Sequence, residues 1–282
     1  MENQLQQLQI KKQGYSLDIT VDPFNRRVRV DDYLGNFDLC VAEAMKLAVE
    51  NTVEKLIFKA RVENFQDMVS RGFLYEGSVD KYFLGSDCFF FAKYFILDRR
   101  NSDHWIEEDR ILNGVLSLLK KKDYADPPLE YKIRKADEAD AMELARLYGK
   151  VFEIYPVPMN DPEYVIKCMK AGTVFYVYEW EGHIVSAASA EVNYRYHHAE
   201  ITDCATLPDH RQFGLIKLLI SQLEKYLADQ EIFCVYSISR ALSFGMNAVF
   251  FQLGYGYRGR LANNCYIFDK IEDMNLWVKI DS

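Results

Sequence analysis

The chain has 282 residues, 49% apolar and 27% charged, a globular composition with room for one large domain or two of ordinary size. Acidic residues outnumber basic ones 42 to 34, a net charge of −8, and no basic stripe is present to follow a phosphate backbone, which argues against nucleic acid as a partner. No 18 apolar residues run unbroken, and the start MENQLQQLQIKKQG lacks an apolar stretch with a small-residue cleavage site, so no membrane contact and a cytoplasmic location are expected.

In chain order, strands are predicted over 16–21 and 27–32, a helix over 39–50, a buried strand over 55–59, and a helix over 63–71 that ends at Gly72. Strands over 73–79 and 89–95 and a polar helix over 103–120 follow. Lys120-Lys121-Lys122-Asp123-Tyr124-Ala125-Asp126-Pro127-Pro128 then joins a charge run to a proline pair, which no helix continues through. It divides the chain into domains at 1–125 and 126–282.

The second half opens with a strand over 129–134 and a helix over 137–152, whose Ala141, Leu144, Ala145, Tyr148 and Phe152 share one face. Asp161-Pro162 caps a second helix that runs to Met169. Strands over 173–180 and 183–196 flank Glu181-Gly182, a hairpin-turn pair. A strand over 199–207, an amphipathic helix over 214–228, a strand over 232–239 and a helix over 243–253 stopped by Gly254 come next. Closing strands are expected over 255–260 and 265–268. The order is that of an α/β chain, a mixed sheet with helices on its faces. A decapeptide, MVSRGFLYEG (68–77), parallels FFQLGYGYRG (250–259) in its helix end, Gly, aromatic, Tyr, charge and Gly. Over ten positions chance explains the match equally well; as a repeat, it makes 1–125 a degenerate copy of the closing part of the second half.

The most informative segment is HAEITDCATLPDHRQFGLIKL (198–218). Pro208 stops the strand, and a turn with Arg211 and Gly214 opens the long helix. Amides at a helix start have no intrahelical partners, and the helix dipole favours negative charge there. Gly214 lets a backbone come close to an anion, and Arg211 adds a fixed charge, so the turn suits a pyrophosphate. Arg-x-x-Gly before a helix is a weak signal alone. In this setting the segment resembles the [Gln/Arg]-x-x-Gly-x-[Gly/Ala] signature of the GCN5-related N-acetyltransferases (GNAT). It reads here as Arg211-Gln212-Phe213-Gly214-Leu215-Ile216, with Ile216 where the family has a small residue. Ala199-Glu200-Ile201 with Cys204-Ala205 resembles the family strand that carries a glutamate base. Asn247–Tyr255 resembles its second CoA-contacting helix. The likeness spans roughly 129–270.

The resemblance implies the GNAT acyl-CoA N-acyltransferase fold, an α/β chain of the α+β mixed-sheet kind, with acetyl-CoA as co-substrate and no metal. It implies cofactor contacts at Ala205, Thr206, Leu207, Arg211, Gln212, Phe213, Gly214, Leu215, Ile216, Lys217, Asn247 and Phe250. A narrower set, DCATLP (203–208), GMN (245–247), GRLANN (259–264) and MNLWVK (274–279), is similar to the beta-lysine N-acetyltransferase branch across nearly the whole chain. Members of that branch acetylate the side-chain amine of beta-lysine to N6-acetyl-beta-lysine, a compatible solute.

Acetyl transfer needs a neutral amine, and deprotonating a lysine-type ammonium of pKa about 10.4 at pH 7 costs about 4–5 kcal/mol. A nearby carboxylate can take that proton. Glu200 is the first candidate, by its match to the family glutamate, and Asp203 the second; simple strand alternation puts them on opposite faces. The family implies that an N–H freed near 205–207 stabilises the oxyanion. The family's acid, a tyrosine, is Phe250 here, which leaves Tyr255, Tyr257 or a water, or no acid at all. Cys204 reads as a core thiol rather than a nucleophile, His197 and His198 as turn residues, and Trp277 as core; six widely spaced cysteines with no CxxC pair give no zinc or disulfide framework. Beta-lysine would need acids, donors and aromatic walls, for which Tyr155, Arg258 or Arg260, Asn263 and Asn264 are candidates, the Asn pair being better explained as a turn. Two other readings stay open: a GNAT enzyme for another small amine or a protein lysine, and a non-catalytic acyl-CoA-binding module. The role of 1–125 is open among pocket wall, homodimer contact and scaffold.

Overall fold

A computed structural model of the protein describes residues 5–119, 126–268 and 270–280. Residues 120–125 of the expected linker lie outside the described residues. The first half contains β1 (Gln6–Lys12), β2 (Tyr15–Asp22), β3 (Arg27–Gly35), α1 (Phe37–Glu50), β4 (Lys55–Arg61), α2 (Phe65–Ser70), β5 (Leu74–Phe83), β6 (Ser86–Tyr94), α3 (Leu97–Arg100) and α4 (Trp105–Leu116). The second contains β7 (Lys132–Lys135), α5 (Ala141–Val151), α6 (Pro162–Lys170), β8 (Val174–Trp180), β9 (His183–Asn193), β10 (His198–Thr206), α7 (Leu215–Asp229), β11 (Cys234–Arg240), α8 (Phe244–Gln252), β12 (Tyr255–Ile267) and β13 (Lys270–Lys279).

These strands form one mixed sheet in the order β1-β2-β3-β4-β6-β5-β12-β13-β11-β10-β9-β8-β7. The run β2-β3-α1-β4-α2-β5-β6 has the same connectivity as β9-β10-α7-β11-α8-β12-β13. In each, a crossover helix joins a parallel pair, β3 with β4 and β10 with β11. The two runs meet at β5 and β12, where Gly77 faces Gly259, the last residues of the two similar decapeptides. A Cβ on Gly259 would lie 2.1 Å from the Glu76 carbonyl oxygen and one on Gly77 2.9 Å from that of Arg258, so the backbones approach closely only because both residues lack a side chain.

Alternation along the strands explains the cores. Leu17, Ile19, Val21, Val28, Val30, Leu56, Phe58 and Ala60 put one face of the first-half sheet against Cys40, Val41, Ala44 and Ala48 of α1. In the second half, Leu215, Leu219, Ile220, Leu223 and Leu227 of α7 pack on Ala188, Ala190, Ala199 and Ile201. Leu144, Ala145 and Tyr148 of α5 cover Phe175, Ala187 and Ala205 on the opposite face.

Three elements differ from expectation. β1 (QQLQIKK) is a mostly exposed edge strand, too polar to announce itself. The expected closing strands are one strand, β12, with a register shift between Leu261 and Cys265, and its true partner is β13. β13 was hidden because a strand buried over most of its length carries Glu272, Asp273 and Asn275, which are each neutralised or bonded by distant residues.

Candidate active site

β10 and β11 pair only from His198–Ile201 and Cys234–Ser237, then part. The cause is local. The β9–β10 register shifts between Thr202 and Ala205, Asp203 adopts φ +49°, and Pro208 begins the turn that ends the strand. A cavity of about 640 Å³ opens in this fork. Thr202, Asp203, Cys204 and Thr206 line it from β10, Ser237–Arg240 from β11, Arg211, Gln212 and Gly214–Lys217 from the turn, and Met246, Val249 and Phe250 from α8.

One end of the cavity is an anion cradle. Pro208–Phe213 forms a 3₁₀ turn, and Gly214, at φ +64°, starts α7 with no side-chain cap. The Leu215 and Ile216 amides therefore have no intrahelical acceptor. A Cβ on Gly214 would meet nothing within 4 Å, so the cradle is open where a diphosphate would lie. Arg211 is anchored by its Nε, which donates to the Thr206 carbonyl at 3.2 Å. Ile216 forms wall rather than plug. These residues fit the diphosphate of acetyl-CoA.

At the crotch of the fork sits Asp203. Its Oδ2 accepts from Ser189 Oγ at 2.6 Å, its Oδ1 from Tyr155 OH at 3.0 Å, and its carbonyl from Tyr148 OH at 2.8 Å. Burial and the Glu191 charge push its carboxyl up to about 6, against the pull of the two hydroxyls. Ser189 lies opposite Thr202 and Glu191 opposite Glu200, so the contact with Ser189 means that the bulge turns Asp203 onto the face that carries Glu200. Plain alternation, which separated the two, fails at the bulge.

Glu200 is not in the cavity. It lies farther down β10, and burial with the Glu191 charge raises it to about 7 against the pull of Lys59, Arg29 and the Tyr236 hydroxyl. The expected oxyanion donor narrows as well. Leu207 N–H is spent on the Val185 carbonyl at 2.9 Å, and ladder alternation turns the Ala205 amide the same way, which leaves that of Thr206 facing the fork. The side chains of Ala205, Leu207 and Phe213 pack in the core beside the site rather than lining it.

Other expected contacts lie elsewhere. Asn247 is fully buried and saturated: it donates to the carbonyls of Arg240 and Ser243 and accepts from Ser239, Asn275 and Trp277, so it ties α8 to β11 and β13. Arg258 pairs with Asp80 at 2.7 Å and Arg260 with Asp109 at 2.9 Å, both outside the cavity. Asn263 donates to the carbonyls of Asp98, Arg99 and Asn101, and the Asn264 carbonyl accepts from Arg27 and Arg99. The Asn pair thus serves the seam between the halves at a bulge with Asn263 at φ +41°. Phe250 lines the cavity with no proton to give, while Tyr255 packs edge-on behind it and Tyr257 packs on Trp277. Cys204 lines the wall with its thiol pushed up by burial, far from a reactive thiolate. His197 lies in the turn, but His198 begins β10. Ser189 and Tyr148, which hold Asp203, carried no sequence signal beyond a mid-strand Ser and a core-face Tyr.

Among the described residues no cluster of three or more His, Cys, Asp or Glu could hold a metal ion, and no helix is long and apolar enough to cross a membrane. Residues 141–254 match the acetyltransferase (GNAT) family. The chain is 39% identical to the N-acetyltransferase YodP of Bacillus subtilis over 96% of its own length and 98% of the relative's. It is 34% identical to the Beta-lysine N(6)-acetyltransferase of Methanosarcina mazei over 88% and 99% of the two chains, and 33% identical to that of Methanococcus maripaludis over 82% and 84%. With relatives aligned through both halves and a forked parallel pair opening onto an uncapped helix start, the chain belongs to the GNAT family and is an acetyl-CoA-dependent N-acetyltransferase.

Proposed function

We propose that this enzyme transfers the acetyl group of acetyl-CoA to N6 of beta-lysine by direct attack of the neutral amine. What carries the reading is near-full-length likeness to two proteins named Beta-lysine N(6)-acetyltransferase, together with a carboxylate held at the fork of β10 and β11. Acetyl-CoA supplies an acetyl group activated as a thioester. The amides of Leu215 and Ile216 and the Arg211 guanidinium bind the diphosphate, with Gln212, Gly214 and Lys217 beside them. Asp203 accepts the proton of the acceptor ammonium. Raising its carboxyl from 3.8 to about 6 narrows the gap to the amine by about two pH units, or about 3 kcal/mol. Tyr155 and Ser189 fix the carboxylate so that its orientation does not depend on substrate. The Thr206 amide stabilises negative charge on the carbonyl oxygen. With Phe250 in place of a tyrosine, the thiolate departs without a side-chain acid, which a thiol pKa of about 8.5 permits.

The product would serve as a compatible solute in the cytoplasm, and the domains at 1–125 and 126–282 would descend from one duplicated unit whose first copy no longer binds acyl-CoA. A thiol-release assay across beta-lysine, lysine, ornithine and spermidine tests the acceptor. A clear preference for beta-lysine is expected; equal rates on all four would overturn the assignment.

A further inference from the structure

The first-half sheet has a face that its own core does not explain. Asp18, Thr20 and Asp22 of β2, Arg27, Arg29 and Asp31 of β3, and Lys55, Lys59 and Arg61 of β4 all lie opposite the apolar face packed by α1. A charged face of this kind normally meets water. Here the second half roofs it: Tyr82 of β5 stacks on His198 at 3.8 Å and lies 5.8 Å from Tyr236, and Tyr196 OH donates to Asp32 Oδ2 at 2.7 Å.

Under that roof most of these groups pair, but Arg29 and His198 keep unspent nitrogens. Asp31 is saturated, accepting from Arg29 Nε at 2.6 Å, Lys59 Nζ at 2.9 Å and Thr20 Oγ1 at 2.8 Å. Arg29 spends only its Nε there, so its two Nη groups have no hydrogen bond among the described residues, and its side chain stays 33% exposed. His198 is only 5% exposed, yet neither ring nitrogen has a hydrogen-bond partner among the described residues. Glu200, two residues on and on the same face of β10, feels the charges of Arg29 and Lys59, and Glu191 acts on both Glu200 and Asp203. One face therefore presents an acid at the fork, two more acids beyond it, and then a cation. Glu200 is three positions from Asp203, at most ~10 Å along a strand.

We propose that this roofed face forms the far end of the acceptor site, in which Arg29 holds the acceptor's carboxylate and Glu200, with Glu191 opposite it, holds its second ammonium. The inference rests on the acceptor reading above and extends it to specificity. Beta-lysine has its reacting amine at one end and its second ammonium and carboxylate on separate carbons at the other, so an extended molecule meets Asp203, then Glu200 and Glu191, then Arg29. Lysine carries both end groups on one carbon and cannot address the two stations in that order. Arg29 at that end would also give residues 1–125 a task, since it comes from the half without the fork cavity.

Three acceptors separate the stations: beta-lysine, 6-aminohexanoate (carboxylate but no second ammonium) and pentane-1,4-diamine (both amines but no carboxylate). Arg29→Ala should lower kcat/KM for beta-lysine and 6-aminohexanoate by ~10–100-fold relative to pentane-1,4-diamine, mainly through KM. Glu200→Gln should instead penalise beta-lysine and pentane-1,4-diamine relative to 6-aminohexanoate. The thermal shift with acetyl-CoA verifies that each variant is folded; if Arg29→Ala is not, Arg29→Gln removes the charge and carries the same comparison. Equal losses on acceptors with and without a carboxylate would overturn this proposal while leaving the acceptor reading intact. A wild-type enzyme that acetylates none of the three overturns both.

Discussion

The two halves share a connectivity and treat its weakest point in opposite ways. In each, a parallel pair stays together for four residues, Arg27–Val30 with Lys55–Phe58 and His198–Ile201 with Cys234–Ser237. Beyond that point the first half fills the gap with its own side chains. Tyr33 OH donates to Asn64 Oδ1 and accepts the Arg61 N–H at 3.0 Å, while Arg61 Nη1 donates to the Tyr33 carbonyl. The following helix, α1, is closed by Asn36, whose side chain accepts the Leu39 N–H at 3.1 Å. In the second half the gap is a cavity, and Gly214 stands where a capping side chain could be. One architecture thus closes on itself or opens into a cavity according to whether its spare donors are consumed internally.

That contrast can be broken from its active side first. Asp203→Asn should cost ~10²–10⁴-fold in kcat while the thermal shift with acetyl-CoA survives. In the wild type, a base with a pKa of about 6 must be ionised to work, so the rate should climb as pH rises through about 6, and this limb should vanish in the variant. A retained limb would remove Asp203 as the proton acceptor.

Gly214→Val places a β-branched residue at φ +64° and a side chain in the cradle. The KM for acetyl-CoA should rise ~10-fold or more, with a smaller loss of stability. Asn36→Ala, at the corresponding helix start of the first half, should do the reverse: about 1 kcal/mol lost in denaturant unfolding and no change in that KM. Equal effects on acetyl-CoA would mean that the halves are not functionally distinct.

The subtlest test concerns the seam. Glu108 of α4 is buried beside Asp273 of β13, and burial with the Asp273 charge lifts its carboxyl to about 8. A folded-state pKa raised above the unfolded 4.5 favours the fold below about 4.5, and that contribution is lost as pH rises through about 8. Unfolding free energy should therefore decline across this window, and Glu108→Gln should flatten the decline. A wild-type profile indistinguishable from that of the variant would show that the pair does not couple the halves to pH.

Much of the architecture is legible locally. The apolar spacing of 215–227, the Glu181-Gly182 hairpin, the glycine stops at 72 and 254 and the Arg211–Gly214 turn are short-range patterns, and each appears where expected. The turn proposed to hold the diphosphate was legible for the same reason, since a helix start advertises its free amides within a few residues. The carboxylate at the fork was not. Asp203 changes face because one bulge resets the two-residue period, and no composition rule places that bulge.

Asn247 and Asn263 bond protein groups rather than line the cavity, and in sequence an isolated polar residue looks alike in either case. What the chain encodes within reach of its own neighbours, helix faces, turns and caps, follows from backbone sterics and burial period. Which carboxylate faces the fork, and that the charges of Arg29 and Glu200 act on each other across 171 positions of chain, follows from pairing across the whole sheet, where contacts depend on register rather than on adjacency.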